Sequence, residues 1–149
     1  MNLYKNEFKN FDGMIYLNDE KVCIIYLKQK TTAYIAVEGF VDSATVRKLM
    51  MKTVELCSKM NVKSLLVDSS KLEVLRDEDV KWILQEVYPR FKLLPLKKIA
   101  YIKPGNTFGE ISMKKLIPKN TSREFKQFSC IEEAEKWTYK SFNKINSSL

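Results

Sequence analysis

The sequence predicts an α/β fold with a mixed, mostly parallel sheet, an N-terminal antiparallel meander and about four helices. Three observations lead to this prediction. Short apolar runs separated by polar turns occupy the first part of the chain, and segments with helical spacing alternate with apolar runs after it. The run Ser64–Asp68 lies between two such helical segments, as a buried parallel strand does. Its apolar character stops at Asp68, so we predict that the strand ends there.

Three strand-like runs form the predicted meander. Met14–Leu17 is short, Val22–Leu27 is rich in β-forming residues, and Thr32–Val37 is the third. The residues between these runs are polar enough to form turns. The polar residues 1–12 predict an N-terminal arm or a short helix.

The period then changes to that of amphipathic helices. Apolar residues recur at helical spacing over 46–60, and Asp42 or Ser43 is the predicted N-cap of that helix. After the strand that ends at Asp68, the acidic triplet 77–79 predicts the start of a second helix, because acids favour the positive end of a helix dipole. Pro89 is expected to end this helix.

The last third of the chain continues the alternation. Lys98–Ile102 predicts a strand, and Thr107–Glu110 matches a capping box that opens a helix ended by Pro118. Arg123–Phe128 alternates between apolar and polar residues and predicts the last strand. A second capping-box match at Ser129–Glu132 opens the final helix.

We predict that residues 1–149 form a single domain, with an N-terminal arm at 1–12 and a frayed polar tail at 143–149. The chain has 45% hydrophobic and 30% charged residues, which is ordinary globular composition. No apolar run approaches the roughly 20 residues that cross a bilayer, and the N-terminus has no signal-peptide pattern. We therefore expect a cytoplasmic protein without a membrane partner.

The residue types present restrict the chemistry. The chain has no histidine, which excludes Ser-His-Asp and Cys-His catalysis and all histidine metal sites. Its three cysteines match no metal-ligand spacing. We therefore predict a protein that is not an enzyme and uses no cofactor or metal. Catalysis by Asp68 with Lys103 or Tyr101 is the remaining catalytic alternative.

Positive charge is concentrated between residues 90 and 126. Ten basic and two acidic residues there give +8, which equals the net charge of the whole chain. This favours a basic face for an anionic partner such as nucleic acid. A solvated lysine surface is the alternative, since lysine is far commoner than arginine here and arginine is the better phosphate ligand. The candidate basic patch comprises Lys97, Lys98, Lys114, Lys115, Lys119 and Arg123.

Four features follow one another in a defined order. They are the strand Leu65–Asp68 after a long helix, a helix that bears Trp82, the strand Ile99–Ile102, and the closing segment Phe125–Trp137. Over roughly residues 13 to 140 they resemble the STAS superfamily, the fold of the sporulation anti-sigma-factor antagonists. They are similar above all to the small bacterial proteins described as STAS-like or SpoIIAA-like. The resemblance implies a regulatory protein that binds another protein.

The antagonists of this superfamily are regulated through a serine in an Asp-Ser-Ser-Gly loop that precedes a helix. When the strands are aligned, that loop corresponds to residues 76–79 here, which contain no hydroxyl. The triplet formed by Asp68, Ser69 and Ser70 is followed by Lys71 instead of glycine and lies one loop earlier. The resemblance therefore does not transfer the phosphorylated serine to this chain.

Polar residues follow two successive strands of the predicted parallel sheet. Sheets of this type bind ligands outside the carboxyl ends of their strands, and amides at a helix start beside a lysine suit an anion. The alternative is that these short side chains close hydrogen bonds locally at the strand end. The candidate ligand-binding residues are Asp68, Ser69, Ser70, Lys103, Asn106 and Thr107.

We therefore expect a non-enzymatic cytoplasmic interaction or regulatory protein with a protein partner. The first alternative is a carrier of a small molecule or lipid at the strand-end crevice, since CRAL-TRIO-type lipid-binding domains share the STAS topology. The second alternative is nucleic-acid binding through the basic residues of 90–126. The open edge of the meander also allows a homodimer, unless residues 1–12 cover it.

Overall fold

A computed structural model describes residues 13–118 and 123–147 of the chain. The described part contains six strands in one sheet, and they lie side by side in their order along the chain. β1, β2 and β3 pair antiparallel, whereas β3–β4, β4–β5 and β5–β6 pair parallel. The predicted α/β class and layout are therefore confirmed. The strands are β1 (Gly13–Asn18), β2 (Val22–Leu27), β3 (Thr32–Phe40), β4 (Ser64–Val74), β5 (Lys98–Ile102) and β6 (Glu124–Phe128).

Four helices accompany the sheet in the described residues. They are α1 (Ser43–Lys59), α2 (α-helical Asp77–Trp82, π-helical Ile83–Val87 and α-helical Tyr88–Phe91), α3 (Thr107–Lys115) and α4 (Ile131–Ser147). The three parallel crossovers, from β3 to β4, β4 to β5 and β5 to β6, all move across the sheet in the same direction. Because such crossovers share one handedness, their helices α1, α2 and α3 lie on the same face of the sheet. We call these helices the three-helix layer. α4 packs on the opposite face.

The sheet is buried on both faces around β4. Leu65 belongs to the core beneath the three-helix layer, and the next residue, Leu66, belongs to the core beneath α4. Ile99 and Ala100 of β5 divide in the same way. A strand buried on both sides explains why the apolar run in β4 is continuous instead of alternating.

The helix ends differ slightly from the predicted ones. Asp42 caps α1, because its side chain accepts a hydrogen bond from the Thr45 N–H at 2.8 Å. The N-cap of α3 is Asn106, one residue before the predicted capping box. α4 remains helical to Ser147, beyond the start of the predicted tail. The predicted arm at 1–12, and with it the covering of the β1 edge, lies outside the described residues.

α2 does not end at Pro89, and that prediction is wrong. Proline has no N–H, and its ring clashes with the carbonyl four residues earlier in a regular α-helix. Here the preceding turn is a π-helix, in which the Tyr88 N–H bonds the Ile83 carbonyl five residues earlier. The wider turn accommodates the proline, and the helix continues to Phe91.

A polar contact joins β1 to α1. The Tyr16 hydroxyl donates to Glu55 Oε2 at 2.7 Å, and the ammonium groups of Lys52 and Lys59 lie 3.1 and 3.4 Å from the same carboxylate. The bond from Tyr16, followed by that from Lys52, lowers the pKa of Glu55 to about 2. Burial and the bond to Glu55 raise the pKa of Tyr16 to about 12.

We expect Tyr16→Phe to raise the pKa of Glu55 toward its ordinary value of 4.5. A carboxyl whose folded pKa is depressed stabilises the fold above its unfolded pKa, and this stabilisation is lost as the pH falls through the folded pKa. The wild type should therefore lose stability between pH 4.5 and about 2, and the variant should lose less. NMR titration of the Glu55 carboxyl carbon measures the shift, with Tyr26→Phe as the control. An unchanged pKa in Tyr16→Phe would contradict this account.

Candidate ligand-binding site

Asp68, Ser69 and Ser70, which we predicted to lie at a strand end, lie inside β4. β4 continues past Asp68 to Val74, so the prediction that it stops at Asp68 is wrong. β5 ends at Ile102, opposite Asp68, and beyond this point the strand partner of β4 is β3. We call residues 69–74 the β4 overhang. Its sequence is polar, yet Ser69 and Leu72 are both fully buried. A search for apolar runs does not detect a strand whose buried positions include a serine.

The carboxylate of Asp68 is held by bonds within the protein. Its Oδ1 accepts from the Ser70 N–H at 3.1 Å and from the Ser70 hydroxyl at 2.6 Å. Its Oδ2 accepts from the hydroxyl of the buried Tyr34 at 2.9 Å. The hydroxyl of Ser69 donates to the Ile102 carbonyl at 2.6 Å. The bonds between Asp68 and Ser70 are local, as the alternative described above expects, whereas Tyr34 and Ile102 are more than 30 residues away in the sequence.

The free edge of the β4 overhang is covered by the segment that follows β5. The Gly105 N–H donates to the Ser70 carbonyl at 3.2 Å. The side-chain amide of Asn106 donates to the Leu72 carbonyl at 2.7 Å, while its oxygen caps α3. β4 and β5 are neighbours as expected, and both halves of the predicted site reach the same edge. There the segment after β5 is joined to β4 by these hydrogen bonds.

The first turn of α3 lies directly against the β4 overhang. A Cβ built on Gly109 would lie 2.8 Å from the Leu72 carbonyl oxygen and 2.8 Å from the Pro104 Cβ. One turn later, the Ser112 hydroxyl accepts from the Leu75 N–H at 3.2 Å and lies 3.3 Å from the Leu75 carbonyl. This approach requires glycine at position 109.

The other candidate residues at this edge have simpler positions. The Lys103 N–H donates to the Phe128 carbonyl at 2.9 Å, and Thr107 is an exposed residue at the start of α3. Asp68 bonds Tyr34 on the sheet face that carries α4, whereas Tyr101 belongs to the core on the opposite face. The structure therefore does not bring Asp68 and Tyr101 together.

Within the candidate basic patch, Arg123 has a structural position. Its Nε donates to the Leu96 carbonyl at 2.8 Å, and its Nη2 donates to the carbonyls of Leu94, at 3.1 Å, and Phe91. Burial lowers the pKa of this guanidinium. Arg123 thereby ties the loop after α2 to the start of β6.

Among the remaining described members of the patch, Lys98 and the lysines of α3 lie on opposite faces of the sheet. Lys98 Nζ donates to the Trp137 carbonyl of α4 at 3.1 Å and lies 4.8 Å from the ring centroid. Lys114 and Lys115 lie on α3, across the sheet from α4. Lys97 is exposed, and Lys119 lies outside the described residues. The ion pairs are Lys114–Glu110 at 3.5 Å and Lys115–Asp77 at 3.0 Å.

An apolar cavity of about 100 Å³ lies between the sheet and the three-helix layer. We call it the interlayer cavity. Ile35 and Leu65 line it from the sheet, and Leu49, Ile83 and Met113 line it from the helices. Well-packed interiors have few voids larger than a water molecule, and an engineered apolar cavity of roughly 150 Å³ in another protein binds benzene or xenon. The interlayer cavity has about two thirds of that volume, so we expect it to admit only a very small apolar molecule.

Two tyrosines, Tyr88 and Tyr101, bring polar hydroxyl groups to this lining. The Tyr88 hydroxyl donates to the Leu116 carbonyl, and the Tyr101 hydroxyl donates to Gln127 Oε1 at 2.8 Å. Burial raises the pKa of both hydroxyls, so both are neutral near pH 7. Since both protons are used within the protein, a bound molecule would meet an apolar, uncharged wall.

A smaller cavity of about 50 Å³ adjoins the interlayer cavity. We call it the outer cavity. Its lining includes Pro118 and two cationic side chains, those of Lys92 and Arg123, none of which line the interlayer cavity. Lys92 is exposed, which places the outer cavity at the protein surface. The side chains that line both cavities are Tyr88, Phe91, Ile99 and Phe125.

Sequence patterns did not indicate these cavities. The helical stripes identify Leu49 and Ile83 as core-facing residues, but periodicity carries no information on the volume left between facing side chains. The one local signal is Pro89 directly after Tyr88 within an amphipathic segment, because a π-helical turn that borders the cavity accommodates it. π-Helical turns occur often at functional sites.

Comparison of the chain with protein-family models gives no match, and comparison with curated protein sequences gives none either. In residues 13–118 and 123–147, no helix is both long and apolar enough to cross a bilayer. The same residues contain no group of three or more His, Cys, Asp or Glu side chains suited to a metal ion.

Proposed function

We propose that this protein is a non-enzymatic, cytoplasmic binding protein of the STAS-like class, which takes up a small apolar ligand between its sheet and its three-helix layer. The supporting observation is the interlayer cavity, with its volume of about 100 Å³ and its apolar lining. In the sequence analysis, a ligand carrier was the first alternative, and its ligand was placed at the strand-end crevice. The internal bonds of Asp68 and Asn106 now favour the interlayer cavity instead.

A ligand in this position would link binding to regulation. The interlayer cavity is lined by all three helices of one layer and by four strands. A molecule that binds the folded state stabilises it by about 2.7 kcal/mol at a concentration of 100 times its Kd. Occupancy would therefore change the stability of the three-helix layer.

Nucleic-acid binding receives less support. Arg123 donates to backbone carbonyls, and Lys98 lies across the sheet from the lysines of α3. A contiguous basic face needs these groups side by side. Retention on heparin at low salt is the corresponding check.

The effect of filling the cavity tests the proposal. Leu49 and Leu56 are buried leucines of α1 in the same core, but Leu49 lines the interlayer cavity and Leu56 lies outside its lining. We expect Leu49→Phe to change the free energy of unfolding by less than about 1 kcal/mol, because space is available. Leu56→Phe should cost about 1–3 kcal/mol through overpacking. Chemical denaturation compares the two variants, and equal losses would indicate that no usable space exists.

Ligand binding is then measured directly with benzene and with xenon. Both should shift the methyl NMR signals of Ile35 and Leu65 in the wild type, since these residues line the cavity. Leu49→Phe should abolish the shifts. Absence of shifts in the wild type at saturating benzene and under xenon pressure would overturn the proposed function.

A further inference from the structure

We infer, on the basis of the proposed function, that Tyr88 is the gate through which a ligand reaches the interlayer cavity. The side chain of Tyr88 lines both the interlayer cavity and the outer cavity, and its hydroxyl bonds the Leu116 carbonyl. A ligand enters or leaves when this bond breaks and the ring turns aside. The gate therefore sets the rate of ligand exchange, while the apolar lining behind it sets the affinity.

Few side chains separate the interlayer cavity from the outer cavity at the protein surface. The described side chains that line both cavities are Tyr88, Phe91, Ile99 and Phe125. Ile99 and Phe125 are paired residues of the neighbouring strands β5 and β6, so the sheet fixes their backbones. The movable part of this partition is therefore the last turn of α2, which carries Tyr88 and Phe91.

Within that turn, Tyr88 is held less firmly than Phe91. Phe91 is buried, and its backbone carbonyl accepts a hydrogen bond from Arg123. Tyr88 is partly buried and comes directly after the π-helical turn. The next residue, Pro89, has no N–H, so one bond of the helix ladder is missing at this point. Segments with fewer protected hydrogen bonds open at a lower cost in free energy, which favours Tyr88 as the moving side chain.

The hydroxyl bond of Tyr88 joins the end of α2 to the end of α3. Its acceptor belongs to Leu116, which directly follows the last residue of α3 and lines the interlayer cavity. Burial raises the pKa of the Tyr88 hydroxyl, so the proton that makes this bond stays in place near pH 7. The net contribution of one neutral hydrogen bond corresponds to a factor of about 2 to 12 in an equilibrium constant. Such a bond keeps the ring closed for most of the time and still allows it to open.

The first test removes the hydroxyl of Tyr88 and keeps its ring. Tyr88→Phe should raise the rates of xenon binding and release by about two- to twelvefold, because opening no longer breaks the bond to Leu116. Since both rates rise by the same factor, the Kd should stay unchanged. Relaxation dispersion of the methyl NMR signals of Ile35 and Leu65 measures the exchange rate, and a titration with xenon pressure measures the Kd.

Tyr101→Phe is the matched control for this test. It removes the other tyrosine hydroxyl of the interlayer lining, which donates to Gln127 Oε1 at 2.8 Å. Tyr101 does not line the outer cavity, so its hydroxyl does not lie on the proposed route. Both exchange rates in Tyr101→Phe should therefore equal those of the wild type.

The second test blocks the outer cavity. Lys92 is exposed and lines the outer cavity but not the interlayer cavity. Tryptophan at this position adds a bulky ring to the route without altering the lining of the apolar site. Lys92→Trp should lower the rates of xenon binding and release by one common factor and leave the Kd unchanged. Lys97→Trp, at an exposed lysine that lines neither cavity, should leave both rates unchanged.

The outcomes separate the gate from the site behind it. If Tyr88→Phe exchanges xenon at the wild-type rate, or if only its release rate rises and the Kd rises with it, the gate is overturned and the apolar site stands. If Lys92→Trp does not slow exchange, the route avoids the outer cavity, and this result also overturns the gate. If xenon shifts no methyl signal in the wild type, the gate fails, and the proposed function fails too when benzene gives no shifts either.

Discussion

Gly109→Ala should lower the free energy of unfolding by about 2 kcal/mol or more, although alanine favours a helix by about 1 kcal/mol over glycine. The added methyl carbon would lie 2.8 Å from the Leu72 carbonyl oxygen and 3.1 Å from that of Glu73. Both are backbone atoms and cannot rotate away as a side chain could. α3 would have to move off the β4 overhang and lose the bonds from Asn106 and Ser112.

The matched control for this prediction is Gly105→Ala. Gly105 precedes α3 by two residues, and a Cβ there would meet the Ser70 carbonyl oxygen at 3.7 Å, an ordinary van der Waals contact. We expect this variant to stay within about 0.5 kcal/mol of the wild type. Urea denaturation measures the free energy of unfolding of both variants, and the comparison holds when this free energy depends on urea concentration with the same slope in each. If Gly109→Ala proves as stable as Gly105→Ala, the close approach of α3 to β4 is not real.

Arg123→Ala should cost about 3 kcal/mol of stability, because it removes charge-assisted hydrogen bonds to three carbonyls and leaves those carbonyls without their donor. Arg123→Lys should recover little of this loss. The guanidinium spreads its donors over a planar fork, whereas an ammonium group is a single compact charge and cannot span Phe91, Leu94 and Leu96 together.

Lys97→Ala is the control in the same basic stretch. Lys97 is exposed, and its replacement should change stability by no more than about 0.5 kcal/mol. Thermal and urea denaturation distinguish the two roles of Arg123. A surface arginine reserved for a polyanion would give a variant as stable as Lys97→Ala, and that result would exclude the structural role.

Much of the layout could be predicted from the sequence, since periodicity and turn chemistry act locally. Val22–Leu27 and Lys98–Ile102 have the predicted bounds, because β-forming residues are flanked there by clear turn residues. Asp42 caps α1 as expected, because an N-cap bond forms between residues only three apart. These signals lie within one window of the chain, and a sequence displays them directly.

The β4 overhang could not be predicted, because its partners are distant in the sequence. Asp68, Ser69 and Ser70 have the composition of a loop, yet they continue a strand. Their long-range hydrogen bonds go to Tyr34, Ile102 and Gly105, each more than 30 residues away. A local pattern carries no trace of such bonds.

The candidate site shows the same limit in two ways. Lysines close in sequence were expected to form one patch, but Lys98 turns to α4 while Lys115 bonds Asp77 on the other side of the sheet. The interlayer cavity could not be predicted for a different reason, since it arises where the volumes of facing side chains fail to match. Hydrophobic periodicity shows which face is buried and contains nothing about how completely that face is filled.

The strand order has a consequence for how the chain folds. Each strand pairs with the strand that precedes it in the chain, so no strand has to be inserted between two strands that are already paired. Folding rates rise as contacting residues become closer in sequence. We therefore expect this sheet to form faster than a sheet of equal size whose neighbouring strands are separated by other strands along the chain.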